Sequence, residues 1–353
     1  MNRIKVIADS LESRGIDGIL ISQITNVRYI TGFNGSSGCV LITKKNRIFC
    51  TDPRYEEQAQ LEIKGFDILI EKGERPKTVI EKAKLLGIKT LGFESSASYH
   101  FYRALLRKGI KLKAVSNFIE DLRKIKNADE LALIRKAVTR AENSFLRVKE
   151  FIRPGVTERQ VALRLEENLK KEGCYSIPFD IIVASGLNSA LPHAKPTEKK
   201  IKPGDLVVVD WGGEAGGYFS DMTRSFLIKG NDISRKKDIY ETVLQANTQA
   251  IHSVAAGLSS RMVDKAARDS IKKAGYADFF GHGTGHGVGL DVHELPRISS
   301  LGRESVKPGM VFTIEPGVYI PGIGGVRIED MVLVEKSGCR VLTVLPKGLE
   351  ILY

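Results

Sequence analysis

The sequence predicts an α/β layer domain followed by an α+β domain made of two copies of one half. Three observations point there. First, 353 residues suit two ordinary domains. Second, the first third alternates short apolar strands with helical stretches. Third, the remainder carries two related segments. Lys202-Pro203-Gly204 leads through an apolar run to Asp210, and Lys307-Pro308-Gly309 leads through another to Glu315, the acid falling eight residues after the lysine in both. Each copy would aim a carboxylate from the end of an apolar strand at a shared centre.

The first domain is assigned to residues 1–124 and the second to 125–353. In the first, 17–22, 38–43 and 47–51 read as strands, the last two joined by a Lys44-Lys45-Asn46 hairpin. Helices near 55–64, 76–86 and 98–108 alternate with strands at 67–71 and 89–94. Gly35-Ser36-Ser37-Gly38 reads as a polar turn.

The second domain opens with Asn127 and Glu130 at capping-box spacing. Leu131, Ile134, Val138, Ala141, Phe145 and Val148 follow at helical intervals, and Pro154-Gly155 ends that helix. Thr157 with Gln160 starts another, stopping near Gly173. Two further helices, about 234–256 and 260–274, precede a histidine-rich segment. The order is helix, helix, strands, then the same again, as a duplication requires.

At 42% hydrophobic and 27% charged, the composition supports a large globular core. The formal charge of +12 divides into +8 before residue 125 and +4 after it. The lysines are dispersed without interleaved aromatic residues, which describes a soluble surface rather than a nucleic-acid interface. No apolar run would span a bilayer, and the charged N-terminal stretch does not read as a secretory signal. Four scattered cysteines with no C-x-x-C pair suit a reduced, cytoplasmic protein.

Chemistry concentrates in three places. Asp210 and Asp221 flank a glycine-rich turn in what reads as a hairpin, where two facing acids repel unless a cation lies between them. Glycine occupies alternate positions from 281 to 289, so His282, Thr284 and His286 would share one face of an extended strand while glycine allows close approach on the other. His293 follows nearby, and His193 sits in another loop flanked by proline. Residues 325–334 read as one period-two strand with Arg327 and Glu329 on the same face. That choice favours Glu329 over its neighbour Asp330 as the functional acid. Carboxylates converging in a dry place need cations, so Asp210, Asp221, His286, Glu315 and Glu329 together read as the site of a two-metal hydrolase.

These motifs resemble the pita-bread metallopeptidases. They comprise Asp210 with Gly212, Asp221 with Thr223-Arg224-Ser225, HGTGH at 282–286, Glu315-Pro316-Gly317 and the run from Val326 to Asp330. More narrowly they resemble the aminopeptidase P and prolidase branch, which acts on Xaa-Pro bonds, with a creatinase-like N-terminal domain ahead of the catalytic one. The resemblance implies that Asp210 binds one metal, that Asp221 and Glu329 bridge two, and that His286 and Glu315 complete the second metal's shell. It further implies that His193, His282 and His293 handle substrate and protons, that Glu315 takes a proton from water, and that Arg327 is the family's arginine neighbour. An oxygen-rich shell suits Mn²⁺, with Co²⁺ or Zn²⁺ able to substitute. The expected partners are Xaa-Pro peptides and a second copy of the chain, with no nucleic acid or membrane. Tyr218 and Phe179 are candidates to receive the proline ring, and Arg28 and Arg54 to cap a dipeptide's carboxylate. The polar turn at 35–38 and the stretch from Thr51 to Tyr55 look more like aminopeptidase P than prolidase. Methionine aminopeptidase is disfavoured by the extra N-terminal domain. Metal-free creatinase and a non-catalytic module of the same fold are both disfavoured by the full ligand set.

Overall fold

Short, largely apolar runs build a six-stranded sheet in the first of two units, Met1–Arg123 and Lys124–Tyr353, of the computed structural model. The structure describes residues 3–106, 109–231 and 233–353. The strands of this sheet are β1 (Gly18–Ile21), β2 (Cys39–Thr43), β3 (Arg47–Thr51), β4 (Asp67–Ile70), β5 (Thr90–Glu94) and β6 (Lys111–Val115), in the order β4-β3-β2-β1-β5-β6. The hairpin expected at 44–46 joins β2 and β3, with Cys39 opposite Cys50. Helices α1 (Arg3–Asp9), α2 (Ile24–Thr31), α3 (Glu56–Glu62), α4 (Arg75–Leu85), α5 (Tyr99–Leu106) and α6 (Phe118–Arg123) complete the unit. The last two positions expected for α5, 107 and 108, lie outside the described residues.

The second unit runs α7 (Ala128–Leu146), α8 (Glu158–Lys171), then strands, then α9 (Ser234–Ser253), α10 (Ser260–Lys273), then strands again. Both capping boxes form. Asn127 Oδ1 accepts from Glu130 N while Glu130 Oε2 accepts from Asn127 N, and Thr157 and Gln160 repeat the exchange. Helix α7 stops at Leu146, well before Pro154. The backbone tightens there, Val148 N bonding Phe145 O, and a short 3₁₀ turn over Lys149–Phe151 follows.

The first strand group contains β7 (Ile182–Ser185), β8 (Leu206–Trp211), β9 (Glu214–Ala215), β10 (Tyr218–Phe219) and β11 (Met222–Ile228). The second contains β12 (Gly285–Gly287), β13 (Glu294–Ile298), β14 (Val311–Ile314), β15 (Gly317–Ile320), β16 (Gly324–Arg327), β17 (Asp330–Val334), β18 (Cys339–Val341) and β19 (Ile351–Leu352). They pair as β19-β11-β8-β7 and β13-β12-β14-β17-β18. Behind β8, Trp211 stacks on Phe145 with ring centroids 4.4 Å apart and donates Nε1 to Ala141 O, fixing the strand that carries Asp210 onto α7. Helices α9 and α10 bury Val243, Ala246, Ala250, Val263 and Ala267 in the core of the second half.

The stretch 325–334 is not one strand. It divides into β16 and β17, which belong to different sheets, with Ile328 and Glu329 in the break. Similarly, only Gly285–Gly287 of the histidine segment is extended in a ladder. A Cβ on Gly285 would lie 1.9 Å from Thr313 O, and one on Gly287 2.1 Å from Leu295 O. The glycines let β12 lie tightly between β13 and β14, and its pairing with β13 shifts register between His286 and Gly287.

Candidate metal centre

Antiparallel pairing sets Asp210 opposite Thr223 and Trp211 opposite Met222, so Asp221 enters just before β11 beside the end of β8. Glu315 follows the last residue of β14 and is held from behind by its backbone N–H on Thr284 O at 2.8 Å. Glu329 reaches the same place from the break after β16. Its N–H bonds Thr223 O, and its Oε2 accepts from Thr223 Oγ1 at 2.7 Å. The orientation of Glu329 therefore comes from Thr223 and not from strand alternation with Arg327.

His286 Nε2 lies 3.3 Å from Glu315 Oε1 and 3.6 Å from Asp221 Oδ2. Its Nδ1 faces Gly287 O at 3.2 Å. A proton on Nδ1 satisfies that carbonyl and turns the Nε2 lone pair toward the acids, the tautomer a metal ligand requires. Ligand atoms of Asp221, His286 and Glu329 all lie within 4.8 Å of one another.

Arg327 organises the opposite side. Its Nη2 donates to Asp210 Oδ2 at 2.6 Å, its Nε to Thr223 Oγ1, and its Nη1 to Pro192 O and Tyr319 Oη. Tyr319 in turn lies 3.0 Å from His282 Nε2, while His282 Nδ1 faces Gly283 O at 2.8 Å. Consistent donors then run from Arg327 through the Tyr319 hydroxyl to a neutral His282. Sequence reasoning missed Tyr319. Its position four residues after Glu315, in a strand facing the centre, was the available signal.

The nine residues singled out from the sequence, His193, Asp210, Asp221, His282, His286, His293, Glu315, Arg327 and Glu329, all line one cavity of about 450 Å³. Phe179, Ile181, Ile182 and Pro192 add an apolar wall. Tyr218 is elsewhere. Its ring is buried and its hydroxyl donates to Glu130 Oε1. The His293 ring lies 4.2 Å from that of His286, and the adjacent Glu294 is anchored in a buried ion pair with Lys126 at 2.6 Å. Asp330 points away from the centre, bonding Arg224 and Lys347. Burial opposes its ionisation, but the two cations outweigh burial and lower its pKa.

The electrostatics call for cations. Burial, reinforced by the neighbouring carboxylates, raises Asp221 and Glu329 well above the usual carboxylate range. Burial also raises Glu315. Burial lowers His282, His286 and His293, favouring the neutral imidazoles that metal binding requires. Asp210 Oδ1 is buried with no hydrogen-bond partner. An orphaned carboxylate oxygen is costly, and a divalent cation is the partner that this donor set fits.

Comparison with known proteins agrees with this geometry. Residues 132–336 match the model of metallopeptidase family M24, and residues 3–125 match the creatinase/prolidase N-terminal domain. The Xaa-Pro dipeptidase from Bacillus anthracis is 42% identical and superposes with a TM-score of 0.96 over 99% of both chains. The X-Pro aminopeptidase from Thermotoga maritima is 36% identical, with a TM-score of 0.87 over 96% of this chain and 98% of that one. The Xaa-Pro dipeptidase of Pyrococcus horikoshii is 40% identical over 97% of this chain and 96% of its own length. With its M24 match, its pita-bread fold and its buried acid-and-histidine centre, the chain belongs to metallopeptidase family M24 and is a metal-dependent peptidase.

Proposed function

We propose that this chain is an Xaa-Pro aminopeptidase that removes the residue preceding proline from the N-terminus of a peptide, using two divalent cations. The observation that carries the reading is that one cavity is lined by both apolar residues and the acid-and-histidine cluster. Asp210, Asp221, His286, Glu315 and Glu329 would hold the cations, and the oxygen-rich donor set favours Mn²⁺. When bound, such cations polarise a carbonyl and acidify water at neutral pH.

The protein's own groups do the rest. Glu315 accepts a proton from water on its carboxylate. Arg327 holds Asp210 through Oδ2 and, through Pro192 O, steadies the loop that carries His193. His193 and His293 hydrogen-bond the substrate across the cavity, and His282, oriented by Tyr319, adds a third such group. An Xaa-Pro amide has no N–H and a ring that fixes φ. Phe179, Ile181 and Ile182 offer that ring an apolar surface that demands no donor.

Peptide length is the finer question. Among the described residues lining the cavity, the cationic side chains are Arg327, engaged by Asp210 and Tyr319, and Lys195, which is exposed at the rim. A strict dipeptidase must grip a carboxylate directly after proline, and the cavity walls supply no dedicated buried cation for it. This supports longer substrates. The second reading, a strict dipeptidase, is supported by the B. anthracis and P. horikoshii relatives, which are Xaa-Pro dipeptidases. Comparing kcat/KM for an Xaa-Pro dipeptide with the same sequence extended at its C-terminus separates them. Strong preference for the bare dipeptide would overturn the aminopeptidase reading. A reduced, cytoplasmic homodimer is part of the same proposal. The four cysteines are free, and among the described residues no helix is long and apolar enough to cross a membrane. Light scattering at micromolar concentration tests the dimer.

A further inference from the structure

Two metal-ligand candidates, Glu315 and Glu329, come from different strands, yet their preceding carbonyls meet at one buried side chain. Asn247, fully buried on α9, donates Nδ2 to Ile314 O at 2.9 Å and to Ile328 O at 3.2 Å. On its other side, Lys347 Nζ donates to Asn247 Oδ1 at 2.6 Å and to Asp330 Oδ2 at 2.7 Å. The amide orientation is dictated by chemistry. Two carbonyls need donors, an ammonium needs an acceptor, and only one placement of O and N satisfies all three. Both Nδ2 protons and the oxygen are thereby used.

We propose that Asn247 is a positioning residue for the metal centre, fixing the separation of Glu315 and Glu329 by clamping the peptide groups immediately before them. The inference rests on the assignment of those two glutamates as ligands. The physical need is specific. Ile328 lies in the break between β16 and β17, outside either strand, and a buried carbonyl must find a donor. Ile314 ends β14, where the chain turns out of the ladder toward Glu315. The two segments pair on either side, Ile314 with Asp330 and Gly317 with Arg327. Between these ladders Ile328 N–H makes only a long 3.4 Å bond to Pro316 O, so the carbonyls of Ile314 and Ile328 both fall in the gap where Asn247 meets them. One planar amide with two protons can tie both ends at a fixed spacing. A hydroxyl, with one proton, cannot. An ionised aspartate would turn two attractions into two repulsions. Lys347 then locks the clamp and joins it to Asp330, which with Arg224 holds the backbone on the far side of Glu329, Arg224 Nη1 donating to Glu329 O at 2.6 Å.

The test uses metal affinity as its main readout. Metal-stripped wild type, Asn247→Asp, Lys347→Met and Val243→Ala are titrated with Mn²⁺ by calorimetry, and unfolding temperature is recorded for each. Val243 lies one turn earlier on the same helix, is buried, and makes no contribution to the clamp. Asn247→Asp should weaken Mn²⁺ binding by about 10- to 100-fold, the range seen when groups behind a metal ligand are removed. Lys347→Met should shift affinity in the same direction by less. Val243→Ala should lower the unfolding temperature while leaving affinity at the wild-type value. With an Xaa-Pro peptide, Asn247→Asp should lose kcat with KM little changed. Wild-type affinity in Asn247→Asp, or an equal loss in Val243→Ala, overturns the proposal. Should Asn247→Asp not fold, the Lys347→Met titration decides by the same criterion. Glu315→Ala and Glu329→Ala serve as references. If they keep wild-type affinity, the ligand assignment itself fails. If they lose the metal while Asn247→Asp does not, only the clamp fails.

Discussion

Arg327 places its Nη2 2.6 Å from Asp210 Oδ2, and the other oxygen of that carboxylate, Oδ1, is buried without a hydrogen-bond partner. The arginine thus orients an acid while leaving half of it available to a cation. The same guanidinium reaches Thr223, Tyr319 and the carbonyl of Pro192, so with Asp210 one planar group ties together residues from four segments. Lysine cannot reproduce this fork. Arg327→Lys should lower kcat about 10- to 100-fold and weaken metal binding. Steady-state kinetics with metal titration checks both, and wild-type values for each would show the fork to be dispensable.

The histidines should separate by what their loss removes. His286→Ala should lose metal, because Nε2 faces Glu315 and Asp221. His293→Ala should retain metal and lower kcat roughly 10²- to 10⁴-fold, the usual contribution of an acid–base group. Elemental analysis beside kinetics makes the comparison, and equal metal loss in both variants would contradict the division. Asp221→Ala and Glu329→Ala, which remove the proposed bridging ligands, should each abolish activity.

Metal-free protein should carry a pH-dependent penalty. Folding raises the pKa of Asp221, Glu315 and Glu329, with burial the largest cause. Between the unfolded carboxylate range and these raised values, the folded state binds more protons than the unfolded chain. Stability from these groups is therefore greatest in acid and falls as pH rises. A divalent cation takes over the role of those protons. The gain in Tm on adding saturating Mn²⁺ should accordingly be larger near pH 8 than near pH 5, values on either side of the ordinary histidine pKa. A gain that shrinks with rising pH would refute this account of the centre.

Gly285 and Gly287 should tolerate no side chain. The carbonyls of Thr313 and Leu295 lie 1.9 and 2.1 Å from where a Cβ would be. Those atoms belong to backbone and cannot swing away, so Gly285→Ala should cost at least the roughly 1–3 kcal/mol typical of overpacking. It should also displace His286 and weaken metal binding. Thermal unfolding and metal titration of Gly285→Ala test this, and a variant as stable and as tight as wild type would show that the strands can part.

Much of the fold was legible because it is local. The capping boxes at Asn127 and Thr157, the hairpin at 44–46 and the repeated order of helices and strands follow from residues adjacent in the chain. The early end of helix α7 was not legible because the change to i−3 bonding near Val148 that ends it has no strong sequence signal. The break at Ile328–Glu329 was hidden because period-two apolar residues continue on both sides of it.

The sequence by itself determined which residues to look for, and the nine it singled out line one cavity. Four acids and a cluster of histidines in apolar and glycine-rich stretches have few other uses, and the equal spacing of Asp210 and Glu315 from their lysines betrays the repeat. Only the tertiary structure decided what holds those groups in place. Thr223 rather than strand alternation aims Glu329, Asp210 and not Glu329 receives Arg327, and Tyr319 orients His282. These partners lie up to 117 residues apart in the chain. Periodicity reports which face a side chain takes within its own element. Which distant group meets it is set by how the two halves pack, and that depends on all of their side chains at once.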